Sequence, residues 1–145
     1  KDLIITVKPK NKSSFTDNGI HLKRGAIAST VSHDSHNIIA VGVKDEEIVE
    51  AINRLVNCKG GICVVGEQES HLLPLPIAGL MSPLTIEEVG ESHRKLKEIA
   101  HKSGCTYQAP FMTLAFMALP VIPQLKLTDK GLFDVTTFSP TGMFV

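Results

Sequence analysis

Within five positions the segment His33-Asp34-Ser35-His36-Asn37 carries two imidazoles, a carboxylate, a hydroxyl and a carboxamide. These are the groups that move protons and bind polar ligands near neutral pH. His33 and His36 form an H-x-x-H pair with Asp34 between them, and imidazole plus carboxylate is the vocabulary of metal ligation. Residues three apart on a strand point to opposite faces, so both rings reach one ion only where the backbone turns. The same residue types also make ordinary turns between strands. The cluster follows an apolar run of small and β-branched residues, Gly25 to Val31, and a strand that ends in such a cluster delivers it to the rim of a cleft.

The elements that must hold this cluster follow from hydrophobic period. Asp2 to Val7, Gly25 to Val31 and Asn37 to Val43 read as strands, with the second and third joined as a hairpin by the polar turn. From Asp45 the period lengthens: Ile48, Ala51, Ile52, Leu55 and Val56 share a helical face, with Asp45 as N-cap and Gly60-Gly61 beyond the end. Gly61 to Gly66 is a strand, and Glu69 to Leu75 returns antiparallel to it. Thr85-x-x-Glu88 is a capping box opening a second helix, whose apolar face uses Ile86, Val89, His93, Leu96, Ile99 and Ala100 before Gly104 ends it. Phe111 to Leu119 suits a short buried helix, and Pro120 and Pro123 then force an extended exit. Leu125 to Leu127 reads as a short strand and Asp129-Lys130-Gly131 as a turn, while the polar stretch Asn11 to Asn18 reads as a loop. The pattern predicts an α/β or α+β fold, a single mixed sheet with two main helices packed on it, over one domain spanning residues 1–145.

Composition narrows the function classes. The 145 residues are 43% hydrophobic and 21% charged, ordinary for a globular protein able to bury a core. Fifteen basic residues balance fifteen acidic ones, and one Tyr, six Phe and no Trp leave no basic-aromatic surface, so no nucleic-acid partner is expected. No apolar stretch approaches a bilayer span, so no membrane association is expected either. Cys58, Cys63 and Cys105 are odd in number and lack zinc-ribbon spacing; they read as reduced, inert thiols of a cytoplasmic protein. Because the chain opens on Lys1 rather than Met, it reads as the C-terminal part of something longer.

Several stretches together carry a family resemblance: Leu22-Lys23-Arg24-Gly25-Ala26-Ile27-Ala28-Ser29-Thr30 followed by His33 to Asn37, and Leu73-Pro74-Leu75-Pro76-Ile77-Ala78-Gly79-Leu80-Met81-Ser82. Pro110-Phe111-Met112-Thr113-Leu114, Ala118-Leu119-Pro120-Val121-Ile122-Pro123 and Leu125 to Leu132 agree as well. From about residue 19 onward the chain resembles the C-terminal domain of bacterial and archaeal adenine deaminases, of the amidohydrolase superfamily. That resemblance implies a full enzyme of adenine catabolism and purine salvage that hydrolyses adenine to hypoxanthine and ammonia. It places a divalent metal pair, manganese or iron, in an upstream (β/α)8 barrel for which this chain is too short. No metal ligand set is assigned to this domain.

On that resemblance the polar turn faces the barrel mouth, with His33, Asp34 and His36 in a supporting acid-base or positioning role and Ser35 and Asn37 near substrate. The loop Pro74 to Ser82 and the Phe111-Met112-Thr113 stretch would line the core, pack on the barrel or close a pocket. Without the barrel they would leave apolar surface exposed, so self-association, and a homo-oligomer, is expected. Two other readings stay open. The chain is a structural or oligomerisation module whose polar turn only satisfies an interface, or it is a small autonomous metal hydrolase using His33, Asp34 and His36. The zinc base deaminases are excluded, because neither H-x-E nor P-C-x-x-C occurs. No G-x-S-x-G elbow supports a serine hydrolase.

Overall fold

Small and branched residues alternate in Ala26-Ile27-Ala28-Ser29, and the strand they form, β2 (Ala26–Ser29), is buried on both faces. In this computed structural model, which describes residues 4–7, 20–32, 36–128 and 130–142, β2 is the centre of a five-stranded sheet. Its neighbours are β1 (Ile4–Val7), β3 (Ile38–Gly42), β4 (Gly61–Val65) and β5 (Ser70–Pro74), in the order β1-β3-β2-β4-β5. β1 runs parallel to β3 with Ile4 opposite Ile38, and every other pairing is antiparallel.

The alternation gives the sheet two unlike faces. On one, Ala26, Ala28, Ala40, Gly42 and Cys63 make a shallow surface, and the helix α1 (Asp45–Asn57) lies on it through Ile48, Ala51, Ile52 and Leu55. The fit is close: a Cβ on Gly42 would stand 2.6 Å from both the Ala26 Cβ and the Ile48 Cγ1. The opposite face presents larger side chains, Ile27, Ile39, Val41, Val64 and Leu73. It is covered by Leu96, Ile99 and Ala100 of α2 (Ile86–Lys102) and by Phe111 and Leu114 of α3 (Pro110–Phe116).

Local rules place most boundaries. The Thr85 hydroxyl accepts from the Glu88 N–H at 3.3 Å while the Glu88 carboxylate accepts from the Thr85 N–H at 2.8 Å, so the capping box is formed. Pro110 starts α3, where its missing N–H costs nothing. At α1 the N-cap is Lys44, not Asp45; its N–H is held by the Glu47 carboxylate at 3.2 Å, and Asp45 instead puts its charge in the first turn beside the positive end of the dipole. Two residues expected on apolar faces are exposed, Val56 at 52% and Ile86 at 82%. Each sits roughly 80° round its helix from the centre of the buried stripe, past the width that the sheet covers.

The prolines after α3 end the helix but do not extend the chain. Leu119 and Ile122 N–H groups donate to Phe116 and Leu119 carbonyls at 3.2 and 3.4 Å, so the segment curls through successive turns, which the fixed φ of Pro permits. The expected strand near Leu125 is β6 (Leu125–Thr128), paired with β7 (Gly131–Asp134), which in turn pairs with β8 (Ser139–Pro140) in a small second sheet. The α+β class therefore holds, with the mixed sheet, its two main helices and the short helix at Phe111 as expected, whereas the three-stranded sheet makes two sheets where a single one was expected. Of the expected elements, the Asn11 to Asn18 loop and Asp129 lie outside the described residues. No helix among those described is long and apolar enough to cross a membrane.

Leu55 is fully buried beneath α1, so Leu55→Ala is expected to cost about 2–5 kcal/mol in chemical denaturation, against under about 0.5 kcal/mol for Asn53→Ala on the exposed side. Burial, then the neighbouring charges of Lys95 and Lys97 respectively, holds the His71 and His93 imidazoles below their ordinary 6.5. Both are neutral in the fold while the unfolded chain takes up protons from about 6.5 downward, so their contribution is intact above that pH and is lost as pH falls toward their lower folded values. The denaturation midpoint should drop between pH 7.5 and 5.5, and His93→Gln should shrink that drop.

Candidate functional site

One end of the large sheet collects the segments that the sequence marks as chemically interesting. There β2 ends and β3 begins, β4 begins and β5 ends, because Ser29 pairs with both Ile39 and Ile62 and Gly61 pairs with Pro74. The polar turn, the Gly60-Gly61 corner after α1 and the apolar loop after β5 thus meet at a single edge.

Thr30 ties them together. Its hydroxyl donates to the Gly79 carbonyl at 2.6 Å and accepts from the Gly61 N–H at 2.9 Å, and its own N–H donates to the Gly61 carbonyl at 3.0 Å. Leu75 N–H adds a bond to the Gly60 carbonyl at 2.9 Å. The chains pass so closely that a Cβ on Gly60 would lie 2.4 Å from the Gly79 Cα, and both glycines have positive φ, 121° and 73°. Only glycine fits both demands at Gly60.

Around Thr30 lie two further buried hydroxyls. Ser29 is 1% exposed and its Oγ accepts from the Val31 N–H at 3.0 Å. Ser32 is fully buried, and its Oγ has no hydrogen-bond partner among the described residues. A buried unpaired hydroxyl is costly, about 1–3 kcal/mol, and marks a place where a partner is wanted. Ser29, Thr30 and Ser32 were not singled out by sequence reasoning, although three hydroxyls at the end of an otherwise apolar strand are a readable signal.

Of the five residues singled out, His33, Asp34 and Ser35 lie outside the described residues. His36 is exposed, with its N–H donating to the Ser32 carbonyl at 3.0 Å and φ at 49°, a left-handed conformation uncommon outside glycine. Asn37 is half-buried at the entry to β3. Among the described residues no group of three His, Cys, Asp or Glu side chains can hold a metal ion.

The apolar loop divides its roles. Leu75 is buried in the core, whereas Ile77 and Met81 are 45% and 57% exposed. Ala78 and Gly79 both have positive φ and the Leu80 N–H donates to the Ile77 carbonyl at 3.0 Å, giving a tight turn of the primed type that juts from the sheet end. Cys58 is half-buried at the same end, its Sγ–H donating to the Gly60 carbonyl at 3.0 Å. Cys63 is sealed under α1, where burial pushes its thiol up to about 12, and burial raises Cys105 too, so neither offers a thiolate near neutral pH. A separate polar concavity of about 410 Å³ lies at the opposite sheet end, lined by Arg24, Glu67, Glu69, Lys102 and Ser103. Arg24 is already engaged there, with Glu67 at 3.0 Å and the Lys102 carbonyl at 3.3 Å, and serves to clasp the end of α2 to the β4–β5 turn.

Comparison with known proteins gives the geometry its context. The family profile described as the adenine deaminase C-terminal domain matches residues 9–139. An adenine deaminase of Methanosarcina acetivorans is 62% identical over 126 residues, covering 86% of this chain and 23% of the relative. Adenine deaminase 2 of Carboxydothermus hydrogenoformans is 55% identical over 123 residues, 83% of this chain and 22% of the relative. An adenine deaminase of Brucella abortus is 54% identical over 125 residues, 86% of this chain and 22% of the relative. The chain thus spans less than a quarter of the length of the curated relatives it matches. A profile match over most of the sequence, with identity above one half, places this chain in the adenine deaminase C-terminal domain family.

Proposed function

We propose that this chain works as the C-terminal domain of an adenine deaminase, an enzyme that hydrolyses adenine to hypoxanthine and ammonia. In this reading a preceding (β/α)8 barrel holds the divalent metal pair, manganese or iron, which supplies the Lewis-acid chemistry. Among the described residues, which do not include His33 and Asp34, no ligand group of three is present. This domain's part in the reaction is read as hydrogen bonding: the polar turn 33–37 faces the barrel mouth and orients the substrate or the groups that hold it. His33, Asp34 and His36 are the supporting groups, and Ser35 and Asn37 approach the purine. The enzyme is cytoplasmic and homo-oligomeric.

The observation that carries the reading is the identity of 62% to a named adenine deaminase across a stretch that includes the whole polar sheet end. Ser32 supports the placement of the turn, because its buried unpaired hydroxyl sits at the root of the segment that would meet the barrel. The second reading, a structural or oligomerisation module without substrate contact, is favoured by the exposed apolar side chains Ile77 and Met81 beside the same turn.

Asp34→Ala in the full-length enzyme separates the two. A substrate-orienting turn predicts a loss in kcat/KM for adenine on the order of 100-fold with the fold intact. A purely structural turn predicts lower stability and unchanged kcat at saturating adenine. In the 145-residue chain alone, Ser32→Ala should leave stability unchanged or higher by about 1 kcal/mol, because it deletes a buried hydroxyl that has no partner among the described residues.

A further inference from the structure

The solvent side of α2 contains a feature that the chain's own packing does not explain. Gly90 is the fifth residue of this 17-residue helix, exposed, and a Cβ built on it would meet nothing within 4 Å. Its φ is not positive, no neighbour crowds it, and within a helix glycine is the least favourable ordinary choice after proline. Alanine would serve this chain better. One turn before it, Ile86 is 82% exposed, the most exposed of the large apolar side chains described. Met81 and Leu84, at 57% and 44% exposed, lie in the loop that leads from the Ala78-Gly79 turn at the polar sheet end to this helix. Ile86, Gly90, His93, Lys97 and His101 lie within one strip of the helix surface. From Gly90 onward that strip borders a groove of about 420 Å³, with the His93 ring edge-on to Phe111.

Glycine on a helix face that bears a neighbouring large apolar residue is what a close backbone approach requires, because the missing Cβ is the only way to bring two main chains together. The occupant is indicated by length. More than three quarters of each relative lies outside the matched stretch, and the family is by description a C-terminal domain, so that remainder precedes it in the same polypeptide. The loop before the helix also starts at the sheet end to which the polar turn belongs.

We infer that the first half of α2 and the loop before it, centred on Ile86 and Gly90 and flanked by Met81 and Leu84, is the seat of the preceding part of an adenine deaminase polypeptide, whose main chain passes closest at Gly90. This rests on the proposed function and adds to it the surface through which the domain is fixed. Seating at this strip holds the polar turn against the remainder of the enzyme, while α1 on the opposite face of the sheet stays in solvent.

Hydroxyl-radical footprinting of the full-length adenine deaminase that contains this domain tests the assignment. After correction for intrinsic reactivity, Met81, Leu84 and Ile86 should be protected at least fivefold relative to Val49 and Val56 of α1, which are comparably or less exposed here. Labelling of Ile86 equal to that of Val49 and Val56 would overturn it. Gly90→Ala gives a second, opposite-signed readout. It should raise the Tm of the 145-residue chain by roughly 3 °C through helix propensity. In the full-length enzyme it should lower the Tm, and Gly90→Leu should lower it further. A Tm that rises in both proteins would also overturn the inference. Adenine turnover by the unaltered full-length enzyme is measured alongside. Turnover with an unprotected Ile86 contradicts the docking surface alone, and absence of turnover contradicts the functional reading instead.

Discussion

The polar end of this domain depends on one hydroxyl. Thr30 sits where the central strand stops, and its Oγ1 simultaneously accepts from Gly61 and donates to Gly79, so the end of β2, the start of β4 and the loop after β5 are joined at a single buried atom. Each of those groups would otherwise be a backbone donor or acceptor taken out of water at a strand terminus, where ladder bonding runs out. The arrangement works because Gly60 lets two chains pass without a side chain between them and Gly79 takes the positive φ of the turn. It also leaves Ser32, two residues on, buried with its hydroxyl unspent at the root of the turn that bears the imidazoles and carboxylate.

The rest of the fold supplies a rigid base for that end. The small-residue face under α1 and the larger-residue face under α2 and α3 make the sheet buried on both sides at β2, so the strand that ends in Thr30 is the least free to shift. β-register is strongly fixed when both faces are packed, since a slip by one residue would exchange Ile27 and Ala28 between unlike layers. A stiff central strand with a polar terminus is a sound way to present hydrogen-bonding groups to another body.

What was legible in the sequence was local. The Thr85/Glu88 box, the buried stripe Ile48, Ala51, Ile52 and Leu55, and the antiparallel return of β5 each depend on residues a few positions apart, and each is present. Strand order was not legible, because the place of β2 between β3 and β4, and the parallel approach of β1 to β3, are set by packing between distant segments. The Thr30 to Gly79 bond spans 49 residues and leaves no mark in the spacing of either. Ile86 and Val56 were misplaced because periodicity gives a face but not the width of sheet available to cover it. Strands β7 and β8 are too short to carry a period. The hydroxyls of Ser29, Thr30 and Ser32 were hidden among residues that usually mean only a strand end.

Thr30→Val keeps the branched shape and removes the hydroxyl, and amide hydrogen exchange with backbone chemical shifts of the 145-residue chain reads its effect. If that hydroxyl joins the three segments, the Gly61 amide loses at least tenfold of its exchange protection and shifts change together at His36-Asn37 and at Ile77 to Met81. Shift changes confined to the immediate neighbours of Thr30, with Gly61 still protected, would contradict it.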